Sequence, residues 1–165
     1  MKSWYLIHSK PHQERIARDQ LERQGYETYL PFASVRRRRK GRSIRVIDPM
    51  FPRYLFIHLS NDTDDWRPIR STIGVSTLVR FGNMPAQIPD RLIAELHMRE
   101  DADGIQMLPD PEYRKGDRLR IAEGPLEGYE GIFQSQTGKE RVLLLLEIAH
   151  QSVKIEIKPD QLESI

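Results

Sequence analysis

The chain has 165 residues, 38% of them apolar and 30% charged, and no cysteine; this composition supports a globular core and excludes disulfides, thiolate metal sites and a cysteine nucleophile. Its net charge of +2 hides a division, because residues 1–100 hold 18 Lys and Arg against 11 Asp and Glu, while residues 101–165 hold 8 against 13. The first residues lack the apolar stretch of a signal peptide, and the longest aliphatic run, Val142 to Leu146, is far too short to span a bilayer, so a cytoplasmic protein with no membrane partner is expected.

The charge division predicts two domains, 1–100 and 113–165, joined by a linker at 101–112 where Asp101-Ala-Asp-Gly and Pro109-Asp110-Pro111 break any regular pattern. In the first domain Trp4 to His8 reads as a strand. Pro11 is tolerated in a first helical turn, and the helix after it should bury Ile16, Ala17 and Leu21, expose Glu14, Arg15, Arg18, Glu22 and Arg23, and stop at Gly25. Glu27 to Leu30 resumes as a strand. Ser34 to Lys40 and Arg42 to Ile47, hinged at Gly41, predict a protruding hairpin or basic loop, and Tyr54 to Leu59 predicts a further strand. A short helical turn is expected near Asp65-Trp66 and another strand at Val79-Arg80-Phe81. Pro89 opens a helix whose Leu92, Ile93, Leu96 and Met98 are placed for packing. This order, β-α-β, hairpin, β, β-α, fits an α+β fold with helices packed on an antiparallel sheet.

Two segments carry interaction chemistry. Arg36, Arg37, Arg38, Arg39, Lys40 and Arg42 place six positive side chains in seven residues, and Lys10, His12, Arg15 and Arg18 extend that surface if the first helix lies beside the hairpin. Such clusters attract phosphate backbones by counterion release, so binding would be salt-sensitive and largely blind to sequence. The second segment is Asp48-Pro-Met-Phe-Pro-Arg-Tyr-Leu-Phe56. Strand alternation puts Leu55 and Ile57 on one face and Tyr54 and Phe56 on the other. One sheet cannot bury both faces in one layer, so the second needs a helix of its own domain, the other domain or another protein.

The stretch from Gly116 to Gly131 alternates Leu119 and Ile121 with Arg118 and Arg120, then turns on Gly124-Pro125 and Gly128 before Ile132-Phe133. Beyond it the signals conflict. Val142 to Ala149 is rich in helix formers, whereas Val153 to Lys158 alternates strictly and favours a strand. A helix over 117–134 would lose about 6 kcal/mol to Pro125 and three glycines, but one starting at Pro125 loses only about 2 kcal/mol, since proline is harmless in the first position. Strands are the expected form of 113–165, with helices as the alternative.

Trp4-Tyr5, Phe51-Pro-Arg-Tyr-Leu-Phe56, Trp66-Arg-Pro-Ile-Arg-Ser-Thr72, Pro85-Ala-Gln-Ile-Pro89 and the glycine stretch, in this order, resemble the NusG family of transcription elongation factors, and the glycine stretch resembles its KOW motif. The resemblance implies an N-terminal domain that docks an apolar patch on RNA polymerase and suppresses pausing. It also implies a C-terminal SH3-like KOW barrel that recruits a ribosomal protein or termination factor. On that basis Phe51, Tyr54, Phe56, Phe81, Ile93 and Leu96 are expected to form the polymerase patch, and the basic residues to meet DNA of the transcription bubble. Val79-Arg-Phe-Gly82 and Arg141 to Ile148 look closer to the specialised RfaH-like branch. In that branch the C-terminal domain can instead be a helical hairpin hiding the patch, and Asp48 and Arg141 match its interdomain pair. Two departures from that branch are the loop at Asp65-Trp66-Arg67, which lacks His-Thr-Thr, and Ile16 and Gln20, which replace DNA-reading basic residues. A ribosome-associated or general RNA-binding protein with a KOW-type barrel is the alternative. No enzyme is expected: Asp62, Asp64 and Asp65 read as a solvated acidic turn, and no nucleophile motif, cofactor loop or metal set stands out. A monomer without cofactor is expected.

Overall fold

The computed structural model describes residues 2–108, 125–135 and 137–156. Strand β1 (Lys2–Ser9) lies at the centre of an antiparallel sheet, flanked by β5 (Tyr54–Ser60) on one side and by β6 (Val75–Leu78) and β9 (Gln87–Ile88) on the other; β2 (Glu27–Tyr29) pairs with the outer edge of β5. The register sets Tyr5 opposite Ile57 and Ile7 opposite Leu55, while Leu6 meets Phe56 and His8 meets Tyr54. Because side chains alternate across a strand, this single register makes two apolar faces.

Helix α1 (Glu14–Arg23) closes the first face with Ala17 and Leu21, which pack with Tyr5, Ile7, Leu55, Ile57, Leu59, Ile69, Val75 and Leu78. The turn at Gly74 lies directly on this helix: it has φ +89, and a Cβ there would come 2.7 Å from the Ala17 amide nitrogen. The helix is rotated from its expected setting. Ile16 is exposed, whereas Glu14 is buried and accepts the Arg53 backbone N–H at 3.0 Å. A charged side chain enters the interior here because a backbone donor beside the strained Arg53 (φ 71) needs a partner.

Helix α2 (Asp90–Met98) lies on the second face and buries Leu92, Ile93 and Leu96; Met98, expected to pack, is exposed. Residues 61–74 form successive turns instead of the expected helical turn. Their anchor is Trp66, set edge-on to Tyr5 with ring centroids 4.7 Å apart and donating Nε1–H to the Ser60 carbonyl at 3.0 Å. The strand expected at 79–81 is the short ribbon of β7 (Arg80–Phe81) with β8 (Met84–Pro85).

A separate three-stranded sheet carries the arm. Strands β3 (Phe32–Arg39) and β4 (Arg42–Pro49) pair antiparallel, and β10 (Ile105–Met107) runs parallel to β3. Lys40 and Gly41 both have positive φ, 52 and 75, the geometry of a two-residue turn whose twist matches that of the strands. Part of the stretch expected to be linker is therefore built into the N-terminal body: β10 pairs with β3, and Leu108 is buried in the core.

Over the described C-terminal residues the chain takes the helical alternative and not the expected barrel. Helix α3 spans Pro125–Gln134 and α4 spans Gly138–Glu156, packed together as a hairpin. Starting α3 at Pro125 leaves only Gly128 and Gly131 inside it, the low-cost boundary. The strand expected at 153–158 is helical through Glu156. Tertiary contact overrides local preference: Ile132, Phe133, Leu145 and Ala149 are buried in the same core as Trp4, Leu6 and Phe56. Burial of three large apolar side chains, at about 1.5–3 kcal/mol each, outweighs the ~2 kcal/mol cost of two glycines. The glycine stretch before Pro125 and residues 157–165 lie outside the described residues.

Candidate functional site

The second face of the main sheet brings the expected patch together. Phe51, Phe56, Ile93 and Leu96 are buried in one cluster, Tyr54 and Phe81 pack partly buried against it, and Ile132, Phe133, Leu145 and Ala149 of the hairpin belong to the same cluster. Phe51 meets Phe56 edge-on at 5.8 Å between ring centroids, and Phe81 lies 5.0 Å from the His150 ring of α4. At the strand's start Tyr54 leans on His8 at 4.8 Å. Burial, aided by the neighbouring Arg53 charge, lowers the His8 pKa, and burial raises that of Tyr54. Both rings are thus held neutral near pH 7.

The hairpin grips this face at three places. Arg141, only 3% exposed, donates from Nε to the Met50 carbonyl at 2.7 Å and from Nη1 to the Ser135 carbonyl at 3.2 Å. Burial pushes its guanidinium down to about 10, opposed by the Glu140 and Asp48 charges, so it stays charged at neutral pH. Gly138, in the first turn of α4, lies so close to Pro52 that a Cβ would come 2.5 Å from the ring. Arg99, at the end of α2, stacks its guanidinium over Phe133 at 3.9 Å, bonds Glu95 Oε1 at 2.8 Å and pairs with Glu130 of α3.

Asp48 and Arg141, the expected interdomain pair, are near each other but do not bond. Asp48 pairs with Arg37 across the arm, and Arg141 uses backbone carbonyls. Asp48 reaches Arg141 only through its charge.

The basic surface is assembled in part. Arg15 and Arg18 of α1 lie over the Phe32 ring, 4.6 and 5.9 Å from its centroid, so the helix does flank the root of the arm. Lys10, His12 and Arg15 are exposed, as are Arg36, Arg37, Arg38, Arg39, Lys40 and Arg42. Cross-strand pairing sets Arg36 opposite Arg45 and Arg39 opposite Arg42. Like charges directly opposite repel. Arg45, which the sequence did not single out, donates to the Ser34 carbonyl and hydroxyl at 3.3 Å and stiffens the root. Phe32, Arg99, Gly138 and the Met50 carbonyl also escaped the sequence; Phe32 stands four residues before the basic run and Arg99 at the end of a helix, but neither position marks its contact.

The acidic turn holds itself. Asp64 accepts the Ser60 N–H at 2.7 Å, and Asp65 takes Arg67 in a two-oxygen contact, which lowers the Asp65 pKa. Among the described residues no group of three His, Cys, Asp or Glu could hold a metal, and no helix is long and apolar enough to cross a membrane.

The described residues form an α+β body with a basic arm and an apolar face closed by a helical hairpin. Comparison with known proteins narrows the class. The sequence profile described as "Transcription termination factor nusG" matches residues 2–97, and the chain belongs to the NusG family. It is similar to the transcription termination/antitermination protein NusG of Neisseria meningitidis (24% identical, covering 99% of this chain and 98% of that protein). It is likewise similar to the protein of that name from Thermus thermophilus (25%, covering 87% and 89%). Among solved structures, one titled "Domain interaction in Thermotoga maritima NusG" aligns over 71% of this chain and 70% of that one, with a TM-score of 0.44 and 18% identity.

Proposed function

We propose that this chain is a transcription elongation and antitermination factor, not an enzyme, that binds RNA polymerase through the second face of its main sheet, and that the structure holds it in a closed state. One observation carries this: the six residues expected to dock on polymerase form a single apolar cluster, and its outer layer is the C-terminal hairpin, not the domain that supplies the rest. A face needed only for stability could be closed by local helices alone, as α1 closes the first, whereas the second is shared between α2 and the hairpin. Family membership and the relatives' names supply the process, transcription termination and antitermination.

In this proposal displacement of α3 and α4 frees Phe51, Tyr54, Phe56, Phe81, Ile93 and Leu96 for a helical surface of polymerase. The arm residues Arg36–Arg39, Lys40 and Arg42, with Lys10, His12, Arg15 and Arg18, then meet DNA of the transcription bubble without reading its sequence. The released C-terminal segment refolds as a KOW barrel that recruits a ribosomal protein or termination factor. The closed hairpin and the buried Arg141 support placement in the RfaH-like branch, with Met50 and not Asp48 receiving the arginine.

The test is an elongation and binding assay with purified RNA polymerase. Arg141→Ala is expected to open the hairpin and bind more tightly than the unaltered chain, and adding Tyr54→Ala with Phe81→Ala, both only partly buried, should remove that gain. An Arg141→Ala protein that NMR shows to be open, yet binds polymerase no better, would exclude this face as the polymerase site.

A further inference from the structure

The two helices of the hairpin are held by different chemistry. Arg141, which fixes α4, is 3% exposed and bonds neutral carbonyls. Arg99, which holds α3, has a side chain 35% exposed, and that of its partner Glu130 is 51% exposed. Buried bonds to carbonyls are insensitive to salt, whereas an ion pair open to solvent is screened. Helix α3 is also intrinsically weaker, with 10 residues and two interior glycines against 19 residues for α4.

We infer that Arg99 is a clasp for α3 that acts separately from Arg141, and that the hairpin opens stepwise, α3 peeling away at Arg99 while α4 stays bound through Arg141. Arg99 is well built for this. It caps the C-terminal end of α2, where a positive charge is favoured, and Glu95 one turn back fixes its guanidinium plane. The same plane then offers its face to the Phe133 ring and an edge to Glu130. Peeling α3 uncovers Phe133 and Ile132 first, so the part of the apolar face beside Leu96 and Arg99 becomes accessible before the part beside Pro52 and Gly138. A partner that supplies an acidic residue and an aromatic ring could replace Glu130 and Phe133 on Arg99 and so start the release.

The inference rests on the closed arrangement used above, and its test needs no polymerase, so its failure would leave the proposed polymerase contact standing. Native-state hydrogen exchange on the full chain reads each helix separately. The α3 amides should exchange at least about tenfold faster than those of 141–149 in α4, given the two interior glycines, and added salt should speed α3 alone. Arg99→Ala should speed α3 a further roughly 3- to 10-fold, the loss of one cation–π contact, and leave α4 unchanged. Glu130→Ala keeps Arg99 on α2 and should speed α3 about twofold; it serves if Arg99→Ala disturbs α2. Equal exchange in both helices, or variants that speed both alike, would show that the hairpin opens as one unit and overturn the stepwise order.

Discussion

The two faces of the main sheet use the same strands and end up with different kinds of cover. On the first, Ala17 and Leu21 arrive from a helix that begins five residues after β1 ends, so closure is local and part of the fold. On the second, Leu145 and Ala149 arrive from more than eighty residues after Phe56, and they are fastened by an arginine on a carbonyl and a glycine against a proline. Both faces bury large side chains fully, and the second also holds partly buried rings such as Tyr54 and Phe81. What the proposal makes different is the cost of removal: loss of α1 should unfold the domain, whereas release of the hairpin should leave β1, β5 and α2 folded and expose Phe51, Tyr54 and Phe56. A buried residue is therefore not by itself a core residue.

Substitutions can break or sharpen that contrast. Leu21→Ala on the first face should cost about 2–5 kcal/mol and lower the unfolding midpoint of the whole protein in a denaturant titration. Arg141→Ala on the second leaves the Met50 and Ser135 carbonyls without their donor, a loss of about 2–3 kcal/mol in closure; circular dichroism should show helix loss while β1 amides stay protected. If both variants unfold the sheet equally, the two covers are equivalent and the contrast fails. Gly138→Ala places a methyl within 2.5 Å of the Pro52 ring, and with little room for that ring to give way should weaken closure by about 1–3 kcal/mol, measured the same way. Asp48→Ala should have the least effect on closure, below about 1 kcal/mol, because Asp48 pairs with Arg37, whose side chain is half-exposed, and acts on Arg141 through its charge without a bond; a larger effect than that of Arg141→Ala would mean the carboxylate holds the hairpin directly.

The first half of this design was legible because its information is local. Trp4 to His8 and Tyr54 to Leu59 read as the strands they are, Pro89 fixed the start of α2, and Gly41 located the arm's turn. The two faces of the 54–57 strand, and the need for a second partner, also followed from period two alone. Glu14 and Ile16 exchanged places because the buried position of a helix near its end depends on what meets it, here an Arg53 amide, and not on hydropathy. The hairpin was harder. Val153 to Glu156 has a strand's pattern and a helix's backbone, since docking on Phe51 and Phe56 decides between forms that differ little locally. The pairing of Arg141 with a carbonyl left no mark at all, because every residue supplies one. Arg99 sat in plain view as the basic end of a helix, a role it also fills, and nothing in spacing ties it to a ring thirty-four residues on.

The arm's regular pairing also sets a footprint. From Arg36 to Arg39 the ribbon is exposed on four rungs, closed by a two-residue turn, and four residues of strand extend only about 14 Å. Along a duplex that advances about 3.4 Å per base pair, this is roughly four steps. If the arm meets nucleic acid as proposed, a projection of that size touches a small number of phosphates however long the duplex is, and lengthening an oligonucleotide beyond one turn adds statistical sites along it and no further grip.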